Sequence, residues 1–359
     1  MKELGEIFLK LVSVQSPSGF EEPMMKTLEL EFKTSVDEVH ETPRGNIIAV
    51  KKGSDPEAPS IALVAHMDQV GFIVFSIDDR GFIRFRKLGN PSLQTLQGQQ
   101  MRILAKRGPV LGVVGVKPSH LVKQEQERMI PSLEEMYIDI GARSRQDVEK
   151  LGVTVGTPIV YNSLPLELSN NLIASSAVDD KGGCTALVAT ARWLRDTQIP
   201  SSVYYVGSVE EEIGLRGAEV VLNDLDVDIA VAIDTSPAGW QPDVAMSDIF
   251  YEVGSGPAIH VGEIGGGRTI IQHHKVREWL VETAESENIP YQMGIHTGHT
   301  DAMTLMQTKT GIPTAALGLP RKYAHSPFEV FDLNDLSNIV EILVASLRRL
   351  DANLVLRRT

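Results

Sequence analysis

The run Ile61-Ala62-Leu63-Val64-Ala65 constrains this chain more than any other stretch. Five consecutive apolar residues leave no polar face, the mark of a strand inside a sheet covered on both sides. Similar apolar runs recur at 46–51, 202–208, 229–233 and 313–317. Between them lie segments with helical spacing. Leu4, Ile7, Phe8, Leu11 and Val12 form one apolar stripe. Pro17-Ser18-Gly19 breaks that helix, and Ser18 with Glu21 and Glu22 reads as a capping box opening a second, to about Phe32. Further helices are expected over 182–195, 215–222, 276–287 and 333–350. This alternation implies an α/β fold, a mixed sheet with helices on both faces.

From 71 to 165 the texture changes. Short β-rich runs (GFIVFSI, GFIRFRKL, MRILAK, VLGVVGV, MYIDIG) alternate with Asp-Asp-Arg-Gly, Gly-Asn-Pro and Arg-Gly-Pro turns. The expectation is a small antiparallel β domain, 71–165, inserted into a larger one made of 1–70 and 166–359. A chain of 359 residues is long enough for two cores.

Net charge of −13 argues against a nucleic-acid partner, which calls for a basic face. The N-terminal helix carries acids within its apolar stretch, unlike a signal peptide. No run of about 18 apolar residues suggests a membrane span. The cytoplasm is therefore the expected location. With Cys184 as the single cysteine, neither an internal disulfide nor a cysteine-based zinc site is possible.

Acids and imidazoles collect where the expected strands end, the place where open α/β sheets bind ligands. His66-Met67-Asp68 follows the central run, and Asp179-Asp180 precedes a helix. Glu210-Glu211-Glu212 follows another strand, Asp234 ends a fourth, and His325 precedes the last helix. Each has a bland reading: a turn, a helix cap, a solvated charge run, a structural histidine. Together they supply two imidazoles and several carboxylates without a thiolate, a donor set suited to zinc, with cobalt or manganese as alternatives. Two such ions would activate water and clamp a tetrahedral intermediate, and one free carboxylate would have to move the proton.

The strings AHMDQVGFIV, AVDDKGG, EEEIGLRGA, AIDTS, GHTDAM and KYAHSPFEV, with SPSGFEE near the start, resemble family 42 of the metallopeptidases. These are the glutamyl and tetrahedral aminopeptidases, co-catalytic zinc exopeptidases. The resemblance spans nearly the whole chain. It implies two divalent metal ions per subunit, a zinc-exopeptidase-like catalytic domain and short peptide substrates. His66 would bind one metal, Asp179 would bridge both, Glu212 would be a metal ligand, Asp234 would complete the first site and His325 the second. Asp180 would support the site through a cis peptide bond, and the choice of bridge between Asp179 and Asp180 stays open. Glu211 would be the general base, with Asp68 orienting it or the imidazole. Glu210 has no assigned role. The inserted domain would mediate homo-oligomers, dimers building a dodecamer. Lys181 stands where many relatives have Arg, and His299 interrupts the usual Gly-Gly-Thr-Asp-Ala string, which weakens any inference about specificity.

The same metal cluster would serve a deacylase, a carboxypeptidase or an amidohydrolase acting on a modified peptide. A non-catalytic assembly protein could retain the fold. Chelator-insensitive sugar release would instead point to a glycosidase using paired carboxylates.

Overall fold

A computed structural model of the chain describes residues 1–122, 129–245, 247–350 and 354. The parts of the expected segments 71–165 and 166–359 that fall on 123–128, 246, 351–353 and 355–359 lie outside the described residues.

Strands β1 (Glu38–Glu41), β2 (Ile47–Lys51) and β3 (Ile61–His66) come first. A barrel follows, of β4 (Gly71–Ile77), β5 (Ile83–Leu88), β6 (Gln100–Ile103), β7 (Val110–Val114), β8 (Ile138–Asp139) and β9 (Pro158–Tyr161). The chain then returns to the main sheet through β10 (Leu166–Glu167), β11 (Leu172–Ser175), β12 (Val203–Ser208), β13 (Ile229–Pro237), β14 (Ala258–Gly265), β15 (Arg268–Ile271), β16 (Gln292–Thr297), β17 (Thr314–Lys322) and β18 (Glu329–Asp332). The helices are α1 (Lys2–Val12), α2 (Glu22–Phe32), α3 (Arg145–Lys150), α4 (Val178–Leu194), α5 (Ala218–Val221), α6 (His274–Glu287), α7 (Ala302–Leu305) and α8 (Leu333–Arg349).

The main path of the sheet runs β1-β2-β12-β3-β13-β17-β18-β11-β10, with β14, β15 and β16 branching from β17. Its centre, β12-β3-β13-β17, is parallel, and the flanking pairs are antiparallel, so the sheet is mixed. Strand β3 is buried at every position, as its unbroken apolar run requires. Ile61, Leu63 and Ala65 join a core built with α1, α2, α4, α6 and α8, whereas Ala62 and Val64 face a thinner layer with α5 and α7. The α1 stripe is fully used: Phe8 is 0% exposed and meets Phe331 edge-on at 4.8 Å. Truncating Phe8 to Ala is expected to cost about 3–5 kcal/mol.

The β-rich insertion closes on itself in the order β4-β5-β8-β7-β6-β9. Its inward alternation (Phe72, Val74, Phe85, Met101, Ile103, Val114, Ile159) fills a core of its own, and closure removes exposed edges.

Three sequence expectations change. Ser18 does not cap α2, which has no side-chain cap; its hydroxyl donates to Asp68, fifty residues away. The helix expected over 215–222 shrinks to the single turn Ala218–Val221, because residues before it are held in turns from Glu211 and Val209. Strands β14 and β16 carry polar residues (His260, Glu263 and His296) inward and β15 has no buried position, so no apolar run announced them.

Candidate metal centre

The parallel strands place their carboxyl ends side by side, and the site grows there. His66 is the last residue of β3, Ser208 ends β12 next to it in register, and Asp234 lies on β13. The loops that add the other groups carry non-glycine residues in the left-handed region: Ala177 before Asp179, Glu210 before Glu211, and His325 itself (φ 58°, 53° and 58°). Backbone in that region is costly for such residues and collects at functional sites. The Asp179–Asp180 peptide is cis.

All eight residues named from the sequence converge. His66 Nε2 lies 3.0 Å from Asp179 Oδ1, 3.9 Å from Asp234 Oδ1 and 4.0 Å from Glu211 Oε2. His325 Nε2 lies 3.2 Å from the other Asp179 oxygen, Oδ2, and 3.4 Å from Glu212 Oε1. Asp179 thus turns one oxygen toward each imidazole. Among the described residues, two sets bring donor atoms within 4.8 Å of one another: His66 with Asp180 and Asp234, and Asp179 with Glu212 and His325. Asp180 is therefore a member of the first set. Its Oδ1 accepts from the Gly183 amide at 2.8 Å.

Asp68 lies beneath this cluster, fully buried. Its Oδ1 accepts from the Glu211 amide at 2.9 Å and its Oδ2 from the Glu212 amide at 3.2 Å. Ser18 donates to the same Oδ2 at 2.7 Å, and His66 Nδ1 bonds the Asp68 backbone carbonyl at 3.2 Å, with Oδ1 at 3.4 Å. One aspartate, through its carbonyl and its carboxylate, so fixes an imidazole and the acidic loop together. Glu210 turns away and pairs with Arg44 at the surface. His299 sits in an exposed loop.

The electrostatics are those of crowded, buried acids. Burial and mutual repulsion push Asp180, Glu211 and Asp234 well above the usual carboxylate range. Glu212 is pushed up to about 7, by burial first. Burial would also lift Asp179, but Arg321 and the two imidazoles hold it well below. Burial would lower both histidines; Glu211 and its neighbours hold His66 well above its ordinary value, and Glu212 and Asp179 raise His325 to about 9. Asp180 Oδ2 and Glu212 Oε1 are buried with no hydrogen-bond partner. Acceptor oxygens left without a hydrogen bond among repelling carboxylates are costly, and cations would satisfy both. The donor set, oxygen and imidazole only, fits hard or borderline divalent ions.

Several partners were hidden in the sequence. Buried Arg321 donates Nε to Thr235 at 2.8 Å and Nη2 to Asp179 Oδ2, and its Nε lies 3.5 Å from Glu329 Oε1. Glu329 also accepts from the Asp179 and His325 amides at 3.1 and 2.7 Å. Both flank His325 within KYAHSPFEV or just before it, which was the available signal. Lys181 is fully buried and grips Ser16 and the Met67 carbonyl, the latter at 2.6 Å; burial lowers it to about 8. Asp301, from GHTDAM, bonds Ser208. Beside it a second buried net joins Ser236 to His260 at 2.8 Å, and His260 stacks on His296 at 4.6 Å.

Residues 45–342 match the family described as M42 glutamyl aminopeptidase. The chain belongs to that family. M42 peptidases are metal-dependent aminopeptidases, and this M42 chain is a peptide-bond hydrolase of that class. It is 32% identical to the lysyl aminopeptidase of Pyrococcus furiosus, over 96% of this chain and 97% of that one. An aminopeptidase structure from the archaeon Desulfurococcus kamchatkensis superposes with a TM-score of 0.93 at 35% identity, covering 98% and 96% of the two chains. The TET1 peptidase of Pyrococcus horikoshii, described as assembling into a tetrahedron or a large octahedral shell, gives a TM-score of 0.85 at 28% identity, covering 97% and 100%. No described helix of the M42 chain is long and apolar enough to cross a membrane.

Proposed function

We propose that this M42 enzyme removes N-terminal residues from short peptides with two divalent metal ions and a glutamate base. The observation that carries this is Asp179, whose two oxygens face the two imidazoles of separate donor sets. His66, Asp234 and one Asp179 oxygen would hold one ion, with Asp180 beside it. Glu212, His325 and the other Asp179 oxygen would hold the second. Bound there, the ions, zinc by preference and otherwise cobalt or manganese, would supply an acidified water and polarise the scissile carbonyl.

The protein's own groups do the rest. Glu211 has no ligand role in this assignment, and it lies beside His66 in a dry setting that raises its proton affinity. It takes the proton of the attacking water and returns it to the departing amine. Asp68 holds the Glu211 and Glu212 amides and the His66 ring, so the base is aimed before substrate arrives. Arg321 holds Asp179 through Oδ2, and Glu329 holds it through its amide.

Residues 1–70 and 166–359 would form the catalytic domain, and 71–165 an oligomerisation domain. By analogy with TET1, dimers would build a dodecamer in the cytoplasm and admit only short peptides. Light scattering that finds only monomer would refute that assembly. For the chemistry, the test is a panel of free and N-acetylated peptides with metal add-back. Cleavage of the free peptides alone is expected; cleavage of the acetylated ones would favour a deacylase or amidohydrolase instead.

A further inference from the structure

The motif SPSGFEE has no role in the chemistry above, yet it lies against both loops that carry it. The Ser16 amide donates to Gln69 Oε1 at 3.2 Å, and the Gln69 amide to the Ser16 carbonyl at 3.0 Å. Ser18 reaches Asp68. Glu21 then crosses to the acidic loop: its Oε1 accepts from the Gly19 amide at 2.8 Å and from the Glu210 amide at 3.1 Å. Glu21 is 7% exposed and makes no cap bond to α2, although α2 begins at the next residue. Its carboxylate is therefore directed at the strap and at Glu210.

The Glu210 amide opens the left-handed turn from which Glu211 projects. The amide there is part-buried, and Glu21 supplies its acceptor. The acceptor is also anchored, because α2 packs Met24, Leu28 and Phe32 into the core at 0% exposure. We infer that Ser16 to Glu21 is a clamp on the Glu210–Glu212 loop, and that Glu21 is a positioning residue that holds the aim of Glu211 through the Glu210 amide. This rests on the aminopeptidase reading, in which Glu211 is the base; Glu21 itself touches neither substrate nor metal.

The test uses the full metal-loaded chain with Glu21→Ala and Glu21→Gln. Steady-state kinetics on an aminoacyl-nitroanilide, bound-metal content, thermal melting and hydrogen exchange across 207–214 are read for each. Because small misplacements of a reacting group are expensive, Glu21→Ala should lower kcat about ten- to a hundredfold, with KM within about threefold. Metal content should stay unchanged, and exchange at 210–212 should quicken. Glu21→Gln keeps an acceptor oxygen and should restore kcat to within about threefold of the unaltered enzyme. Unchanged kcat or unchanged exchange in Glu21→Ala overturns the clamp. So does a Gln variant as impaired as Ala, or a loss that only follows the folded fraction. If the unaltered protein cleaves no peptide, the aminopeptidase reading fails, while the exchange data still decide the clamp.

Discussion

Asp68→Asn is the most informative single change, because it alters charge and donor pattern with almost no change in shape. Each Asp68 oxygen receives a backbone N–H, from Glu211 at 2.9 Å and from Glu212 at 3.2 Å. Whichever oxygen becomes NH2 therefore points a donor at a donor, in a side chain that is 0% exposed. An ionic hydrogen bond is worth about 1.5–3 kcal/mol and a buried orphan donor costs about 1–3 kcal/mol, together roughly 2.5–6 kcal/mol. Borne by folding, at about 1.3 °C per kcal/mol for a chain of 359 residues, that lowers Tm by roughly 3–8 °C. Borne instead as a displaced catalytic loop, it lowers kcat by about two to four decades. Melting of the chelated protein and kcat with saturating metal divide the loss between the two. A variant with Tm within about 2 °C and kcat within about threefold of the unaltered enzyme would refute the claim that Asp68 aims the loop.

Glu211→Gln should reduce kcat by about 10²- to 10⁴-fold while two metals remain bound, measured by kinetics beside elemental analysis. Chelation should abolish turnover, and zinc, cobalt or manganese should restore it; full activity in excess chelator would exclude the metal mechanism. Burial and the Asp68 charge raise Glu21 to about 7 in the folded chain. A raised carboxyl pKa gives stability that is complete below the unfolded value and is lost as pH rises through about 7. The melting advantage of Glu21→Gln over the unaltered, chelated protein should therefore be larger at pH 8 than at pH 5, by up to roughly 3 kcal/mol. Gly318→Ala would set a Cβ 1.8 Å from Ser236 Oγ and 2.8 Å from His260 Nε2. A melt should show at least about 1–3 kcal/mol of destabilisation from this overpacking.

The fold and the candidate centre were legible where chemistry follows chain order. An apolar run that leads into His66, Ser208 or Asp234 announces both its burial and the polar group after it, although β13 continues past Asp234 to Pro237. The partners that hold those groups were not legible, because a buried contact leaves no mark in local sequence. Ser18 looks like a helix cap until Asp68 is found against it, and nothing beside Arg321 in the sequence announces its contacts with Asp179 and Glu329. Strands β14 and β16 were missed for a related reason: their inward positions hold His260, Glu263 and His296, which pair among themselves and with Ser236, Gln272 and Thr300 instead of forming an apolar face, and β15 has no buried position.

Anomalous scattering at the zinc edge, from crystals of the zinc-loaded enzyme, tests the metal assignment most directly. Two peaks per chain are expected, one between His66 and Asp234 and one between Glu212 and His325, with Asp179 touching both and Glu211 touching neither. A single peak, or Glu211 bound to metal in place of Glu212, would contradict it.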